Sequence, residues 1–181
     1  MSLFKFMENY IDVGSLEFFL ENEGYLRKIG FSGYLFGYFT LFLAFKVMKI
    51  IPGDFISFFF FFSILLIYNY VFSAIINLFM DMIGYRKSAS NLFYYFGISD
   101  FIWILSLPLA FISEIFSGGR NFFFSLLILF SFLFKLKIIK MLYKIRYKMA
   151  LITFTIPYIL LSFLFFAGGI YLIYWIISFI I

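Results

Sequence analysis

The sequence predicts an all-α integral membrane protein with five transmembrane helices, a cytoplasmic N-terminus and a C-terminus outside. Three observations lead to this prediction. Apolar residues make up 65% of the 181 residues and 13% are charged, whereas about a quarter of a soluble domain is charged. The apolar residues fall into five long runs, and the 14 basic residues are distributed unevenly between the polar segments that separate those runs.

The first two runs are simple to delimit. Residues 1–30 carry scattered acidic residues, so we expect an N-terminal cytoplasmic or interfacial segment there and a five-span helical membrane domain in 31–181. The first run covers 31–47. The second covers 55–80 and exceeds the roughly 20 residues that cross a bilayer at 1.5 Å per residue.

The last three runs follow a polar connector at 81–91. The third run covers 92–116, and the Gly-rich turn at 117–121 separates it from the fourth. The fourth run loses its uncharged character after Phe134, so its helix must extend into the basic segment that follows. The fifth run covers 149–181. These runs are too long for the strands of a membrane barrel, which leaves helices as the structure that satisfies the backbone in lipid.

Basic residues predict the orientation. With the N-terminus inside, 11 of the 14 lie in cytoplasmic segments, and Lys46, Lys49 and Arg120 lie outside. An excess of Lys and Arg in cytoplasmic loops is the usual signal of topology. The sequence therefore predicts a multi-pass protein of the cell inner (cytoplasmic) membrane.

Cysteine and histidine are absent from the sequence. Their absence removes thiolate nucleophiles, His general bases and the zinc sites built from these ligands. We therefore expect no enzymatic activity, no cofactor and no metal site.

The segment 135–149 is strongly basic. Lys137, Lys140, Lys144 and Lys148 follow one another at spacings of 3, 4 and 4, which places them on one face of a basic amphipathic helix continuing from the fourth span. Each such residue near anionic lipid contributes about 1 kcal/mol to attraction. The face is predicted either to bind anionic lipid headgroups or to serve only as a topology anchor. No nucleic acid partner is expected, because the run adjoins the membrane.

Asp100 is a carboxylate deep within the third run. A charge there costs about 2.5 to 3.5 kcal/mol on insertion scales, so it should face other helices or water. Asn69, Ser73 and Asn77 form a polar stripe on the second span, and Ser73 lies at the same depth as Asp100. We expect Asp100 to contact this stripe, with Ser73 and Asn77 as its nearest partners and Asn69 one turn beyond. This intramembrane polar cluster is interpreted as helix packing or as ion and proton handling. On the packing interpretation, Asp100→Asn should be tolerated.

Gly33 and Gly37 form a small-residue GxxxG pair of the kind that brings helices together.

The order of segments in 75–161 resembles the Yip family of five-span membrane proteins. The resemblance lies in IINLFMDMIG at 75–84, the Ser-rich basic connector, YYFGISD at 94–100 with Pro108 beyond it, and KMALITFTIPYIL at 148–160. The chain lacks the Asp-Leu-Tyr-Gly-Pro motif of the eukaryotic members, which are linked to Rab GTPases. The resemblance therefore implies a prokaryotic-type member with five spans and a role in membrane organisation or trafficking.

Three functions follow as hypotheses. The first is a non-enzymatic, Yip-like role through lipid or partner-protein interaction, including self-association. The second is a transport component, either a small carrier or the membrane subunit of an exporter. The third is a lipid-modifying enzyme, which would need two carboxylates close together. Asp100 and Glu114 are the carboxylates of the third span, and they would stand about 21 Å apart along a helix. A carrier requires hydrated polar surface near Asp100, whereas a scaffold would close those polar groups on one another.

Overall fold

The computed structural model describes residues 23–51, 54–115 and 119–180, and this part of the chain is helical without a strand. The helices are α1 (Glu23–Val47), α2 (Phe55–Met82), α3 (Ala89–Ser99), a 3-10 segment (Asp100–Leu105), α4 (Ser106–Ile115), α5 (Gly119–Tyr143) and α6 (Tyr147–Ile180).

Five helical stretches in the described ranges are long and apolar enough to cross a membrane, and they correspond to α1, α2, the combined α3–α4 unit, α5 and α6. The predicted all-α class is confirmed for these ranges, and the number of helices of membrane length equals the predicted five. The fourth candidate span extends to Tyr143, so its helix does continue past Phe134 into the basic segment. The third span consists of α3, the 3-10 segment and α4 in succession.

The first helix begins at Glu23, eight residues earlier than the predicted first span. Leu26 and Gly30 are buried in this added part, so it packs with the rest of the bundle. Residues 1–22 of the predicted N-terminal segment and residues 116–118 of the predicted turn lie outside the described residues.

The third span lies at the centre of the bundle, with α1, α2 and α5 packed against it. Its side chains Tyr95 and Phe96 are almost fully buried. The last helix, α6, packs against α2 and α5 instead. There Phe154 places its ring centroid 5.0 Å from both Phe72 and Phe132, in edge-on geometry.

Glycines bring α1 into backbone contact with the third span. A Cβ atom on Gly33 would collide with the carbonyl of Gly97, and one on Gly37 would collide with that of Asp100. Gly30 is similarly placed, because a Cβ atom on it would lie 2.8 Å from the Cα of Tyr94. The small-residue contact predicted from Gly33 and Gly37 is confirmed, because only residues without side chains allow this approach.

The 3-10 segment interrupts the third span where Pro108 removes a backbone donor. Proline has no N–H and crowds the carbonyl four residues earlier, which here belongs to Ile104. The Ser106 N–H bonds to the carbonyl of Trp103, three residues back. That carbonyl also lies 3.0 Å from the hydroxyl of Thr40, which donates to it from α1. The Thr40 hydroxyl of α1 thus helps to satisfy the backbone of the irregular segment.

The helix α5 ends at Tyr143, so the predicted continuous basic helix through residue 148 is wrong. Lys144 adopts a left-handed conformation with φ of 53°, and the Ile145 N–H bonds to the Lys140 carbonyl at 3.1 Å. This bond pattern is the Schellman motif, which stops a helix. The chain turns here because it buries the side chain of Ile145 in the core before α6 begins.

Candidate functional site

Asp100 is the first residue of the 3-10 segment, and it is fully buried. Its carboxylate oxygen Oδ2 accepts a hydrogen bond of 2.6 Å from the hydroxyl of Tyr38 on α1. The other oxygen, Oδ1, lies 3.5 Å from the hydroxyl of Ser99. Asp100 is 11 residues beyond the start of α3, or about 16 Å, which is close to the middle of a bilayer core of about 30 Å.

Lys135 of α5 supplies the positive charge that opposes Asp100. Its ammonium nitrogen lies 2.9 Å from Asp100 Oδ1, and the Lys135 side chain is 13% exposed. The same nitrogen donates to Asn69 Oδ1 at 3.1 Å and lies 5.5 Å from the centroid of the Phe96 ring. The ammonium therefore contacts a carboxylate, an amide oxygen and an aromatic face, all of which favour a cation.

Asn69 of α2 completes a closed arrangement. Its Nδ2 donates to the Tyr38 hydroxyl at 2.6 Å and to the Leu65 carbonyl at 3.0 Å. Tyr38, Asn69, Asp100 and Lys135 thus form a ring of hydrogen bonds, hereafter the polar ring, with one member from each of the first four spans. The charges of Asp100 and Lys135 cancel. Three of the four bonds involve one of these charges, and the fourth, from Asn69 to Tyr38, orients the Tyr38 hydroxyl that donates to Asp100.

This geometry divides the predicted polar cluster, because Asp100 bonds to Tyr38 and Lys135 and not to Ser73 or Asn77 as predicted. Asn69 belongs to the polar ring and is joined to Asp100 through Tyr38 and Lys135. The hydroxyl of Ser73 donates to the main-chain carbonyl of Asn69 at 2.8 Å. Asn77 lies in a different group, where it donates to Asp81 at 3.1 Å and accepts from the Tyr143 hydroxyl at 2.9 Å.

Sequence reasoning missed Tyr38 and Lys135. The prediction of orientation counts Lys135 among the cytoplasmic basic residues, but its ammonium points inward to Asp100, because an unpaired buried carboxylate is costlier than the burial of a paired lysine. Ten of the 14 basic residues then remain in the segments assigned to the cytoplasm. A usable signal existed, since opposite charges in consecutive apolar runs favour pairing. Tyr38 carries no such signal among 14 tyrosines.

The four lysines predicted to share one helical face have different environments. Lys137 and Lys140 on α5 are half-buried, and the Lys140 ammonium lies 3.9 Å from the centroid of the Tyr147 ring. Lys144 in the turn and Lys148 in the first turn of α6 are exposed. The turn between α5 and α6 thus directs two of the four charges to the surface, together with the exposed Arg146.

The residues that the structure describes contain no group of three or more His, Cys, Asp or Glu side chains that could hold a metal ion. Comparison with protein-family models, with curated proteins and with solved structures gave no match.

Proposed function

We propose that this protein is a non-enzymatic, Yip-like polytopic protein of the bacterial inner membrane, which acts in membrane organisation or trafficking through lipids or partner proteins. The observation that carries the proposal is the closure of the polar ring. Asp100 is fully buried, and its two carboxylate oxygens are each paired, Oδ2 with the Tyr38 hydroxyl and Oδ1 with the Lys135 ammonium. Five helices of membrane length and the order of segments in 75–161 are consistent with the resemblance to that family.

A closed polar ring favours a scaffold over a carrier. A carrier must hydrate its intramembrane charge at some stage, whereas these groups satisfy one another and hold four spans together. Ionisable side chains inside a membrane usually line a pathway or pair with each other, and here they pair. The transport alternative draws on one observation, the 3-10 segment that begins at Asp100, because irregular helix at mid-membrane is also found at hinges.

Cysteine labelling distinguishes the two. The chain has no cysteine, so a single one reports without background. We expect Ser99→Cys, next to Asp100 and fully buried, to resist a water-soluble maleimide in native membranes. Ser90→Cys, nine residues earlier on the same helix and exposed, should be labelled and serves as the matched control. Labelling of Ser99→Cys at a rate near that of Ser90→Cys would establish water access and favour transport.

The proposed lipid interaction rests on the exposed cations at one end of the bundle. Lys144 and Lys148 adjoin the turn between α5 and α6, and Arg86 and Lys87 are exposed in the turn between α2 and α3. Both turns lie on the same side of a bundle whose helices alternate in direction. Each cation near anionic headgroups contributes about 1 kcal/mol. Lys137 and Lys140, half-buried as they are, should contribute less.

Headgroup binding can be measured as the change in thermal midpoint on moving the protein from zwitterionic to anionic nanodiscs. We expect the gain to fall in Lys144→Ala/Lys148→Ala. The matched control is Lys46→Ala/Lys49→Ala, which removes the same charge from the opposite side and should retain the gain. If both double variants lost the gain in thermal midpoint equally, the gain would reflect net charge and not headgroup binding at the turn between α5 and α6.

The proposed orientation has a cytoplasmic N-terminus and an external C-terminus, from the ten basic residues that remain on the cytoplasmic side. Reporter fusions after residues 48, 86, 118, 145 and 181 should alternate outside, inside, outside, inside and outside. A cytoplasmic signal from the fusion at 181 would exclude this orientation with five crossings.

A further inference from the structure

The acceptors around the Lys135 ammonium are held in place without Lys135. Tyr38 donates to Asp100 Oδ2, and Asn69 donates to Tyr38 and to the Leu65 carbonyl. These bonds orient the Asn69 amide so that its oxygen faces the same point as Asp100 Oδ1. The first three spans therefore form the acceptor group, and α5 provides only the ammonium.

The geometry of the acceptors suits an ammonium ion. The distances of 2.9 and 3.1 Å from nitrogen to Asp100 Oδ1 and Asn69 Oδ1 are those of N–H···O hydrogen bonds. Metal ions such as Ca²⁺ require six or more oxygens at about 2.3 to 2.6 Å, whereas the described residues direct two oxygens to this point, Asp100 Oδ1 and Asn69 Oδ1. The Phe96 ring, 5.5 Å from the nitrogen, adds an aromatic face that attracts organic cations.

We propose that Asp100, Asn69 and Phe96, supported by Tyr38, form a binding site for a primary alkylammonium ion, and that Lys135 is its tethered occupant. The tether gives Lys135 a high effective concentration at the site, so a free amine does not displace it. Removal of the Lys135 side chain beyond Cβ leaves a space that matches n-propylammonium, since the deleted atoms are three carbons and the nitrogen. This site goes beyond the proposed membrane-organising function and does not depend on it.

The experiment compares thermal midpoints of Lys135→Ala in detergent with and without n-propylammonium. At an amine concentration ten times the dissociation constant, the midpoint should rise by about 4 °C. Wild-type protein should not respond. Lys148→Ala should not respond either, because it loses an exposed lysine for which the described residues show no acceptor group. Asp100→Asn/Lys135→Ala should lose the response, since the carboxylate that attracts the ammonium is gone.

Three other solutes test the ligand class with Lys135→Ala. n-Propanol has the same chain without the charge, tetramethylammonium has the charge without N–H donors, and sodium chloride reports ionic strength. A stabilisation confined to n-propylammonium supports the proposal. Equal effects of the four solutes, or an equal response of Lys148→Ala, would overturn it.

The variant itself is expected to fold poorly, so its accumulation in membranes is a second readout. If Lys135→Ala fails to accumulate, cells grown with n-propylammonium should recover folded protein, while cells grown with n-propanol should not. Failure to recover with the amine counts against the site. Neither result bears on maleimide labelling at Ser99, which separates this proposal from the proposed function.

Discussion

The ammonium of Lys135 and the carboxylate of Asp100 lie 2.9 Å apart and join the third and fourth spans through opposite charges in the buried middle of the bundle. Burial of either charge alone is costly, whereas the pair with its hydrogen bonds is tolerated. The stability of the bundle should therefore depend on the two residues together.

Lys135→Met should lower the free energy of unfolding by about 3 to 5 kcal/mol, because it leaves Asp100 charged and unpaired. Asp100→Asn should have a similar effect by leaving the ammonium unpaired, which replaces the sequence-based expectation that this change is tolerated. The double variant should regain most of the loss. Unfolding in mixed detergent measures the stability of the wild type, the two single variants and the double variant, with Lys148→Met as a control. Additive losses in the double variant would show that the two charges do not interact.

Gly33→Ala should destabilise the protein by about 1 to 3 kcal/mol, the usual cost of inserting a methyl group into close packing. The new Cβ would meet the backbone of Gly97 and would push α1 away from the third span. Gly168→Ala is the control, because no atom of the described residues lies within 4 Å of its added Cβ. Thermal unfolding of both variants tests this contact, and equal stability of the two would argue against it.

Lys144→Gly should be more stable than Lys144→Ala. Lys144 has a φ of 53°, where a side chain costs roughly 1 to 2 kcal/mol that glycine avoids. The alanine variant removes the same charge and keeps the Cβ, so the difference between the two isolates the backbone. Lys49, with a φ of 57°, permits the same comparison at the end of α1. A more stable alanine variant would contradict the left-handed turn.

Asp54 caps the N-terminus of α2, and it gives the capped helix end a pH dependence. The Ser57 hydroxyl donates to Asp54 Oδ1 at 2.5 Å, and this bond lowers the pKa of the carboxyl below its ordinary value of 3.8. Because the pKa of Asp54 is depressed in the folded protein, the stabilisation by its ionised carboxyl is complete above about pH 4. It is lost as the pH falls through the folded pKa. The thermal midpoint of Asp54→Asn should therefore fall less between pH 5 and pH 3 than that of the wild type. An equal fall in the two proteins would exclude Asp54 as a source of the pH dependence.

The spans themselves could be predicted because lipid requires each to be a long apolar helical segment, and the run of 55–80 meets that requirement without reference to other residues. The run of 31–47 covers only part of α1, which begins at Glu23. The contact made by Gly33 and Gly37 could be predicted for a similar reason. Two glycines four residues apart lie on one face of a helix whatever its neighbour is.

The polar ring could be predicted only in part. The sequence shows that Asp100 needs partners and places Ser73 at its depth, with Asn69 one turn beyond, but it does not show how each helix is rotated about its axis. Rotation places Tyr38 and Lys135 against Asp100 and turns Asn77 towards Tyr143. The end of α5 was missed because Lys144 has no local preference for the left-handed conformation. The burial of Ile145, a tertiary effect, decides it.

The polar ring also orders events during synthesis. Its members leave the ribosome in the order Tyr38, Asn69, Asp100 and Lys135, so the carboxylate precedes its counter-ion by 35 residues. At about 5 to 20 residues per second this interval is about 2 to 7 s. A nascent chain arrested between the two positions carries an acidic third span with no ammonium to oppose it. In such arrested chains the third span should be retained longer beside the insertion machinery than in chains that extend past Lys135, a difference that site-specific crosslinking can record.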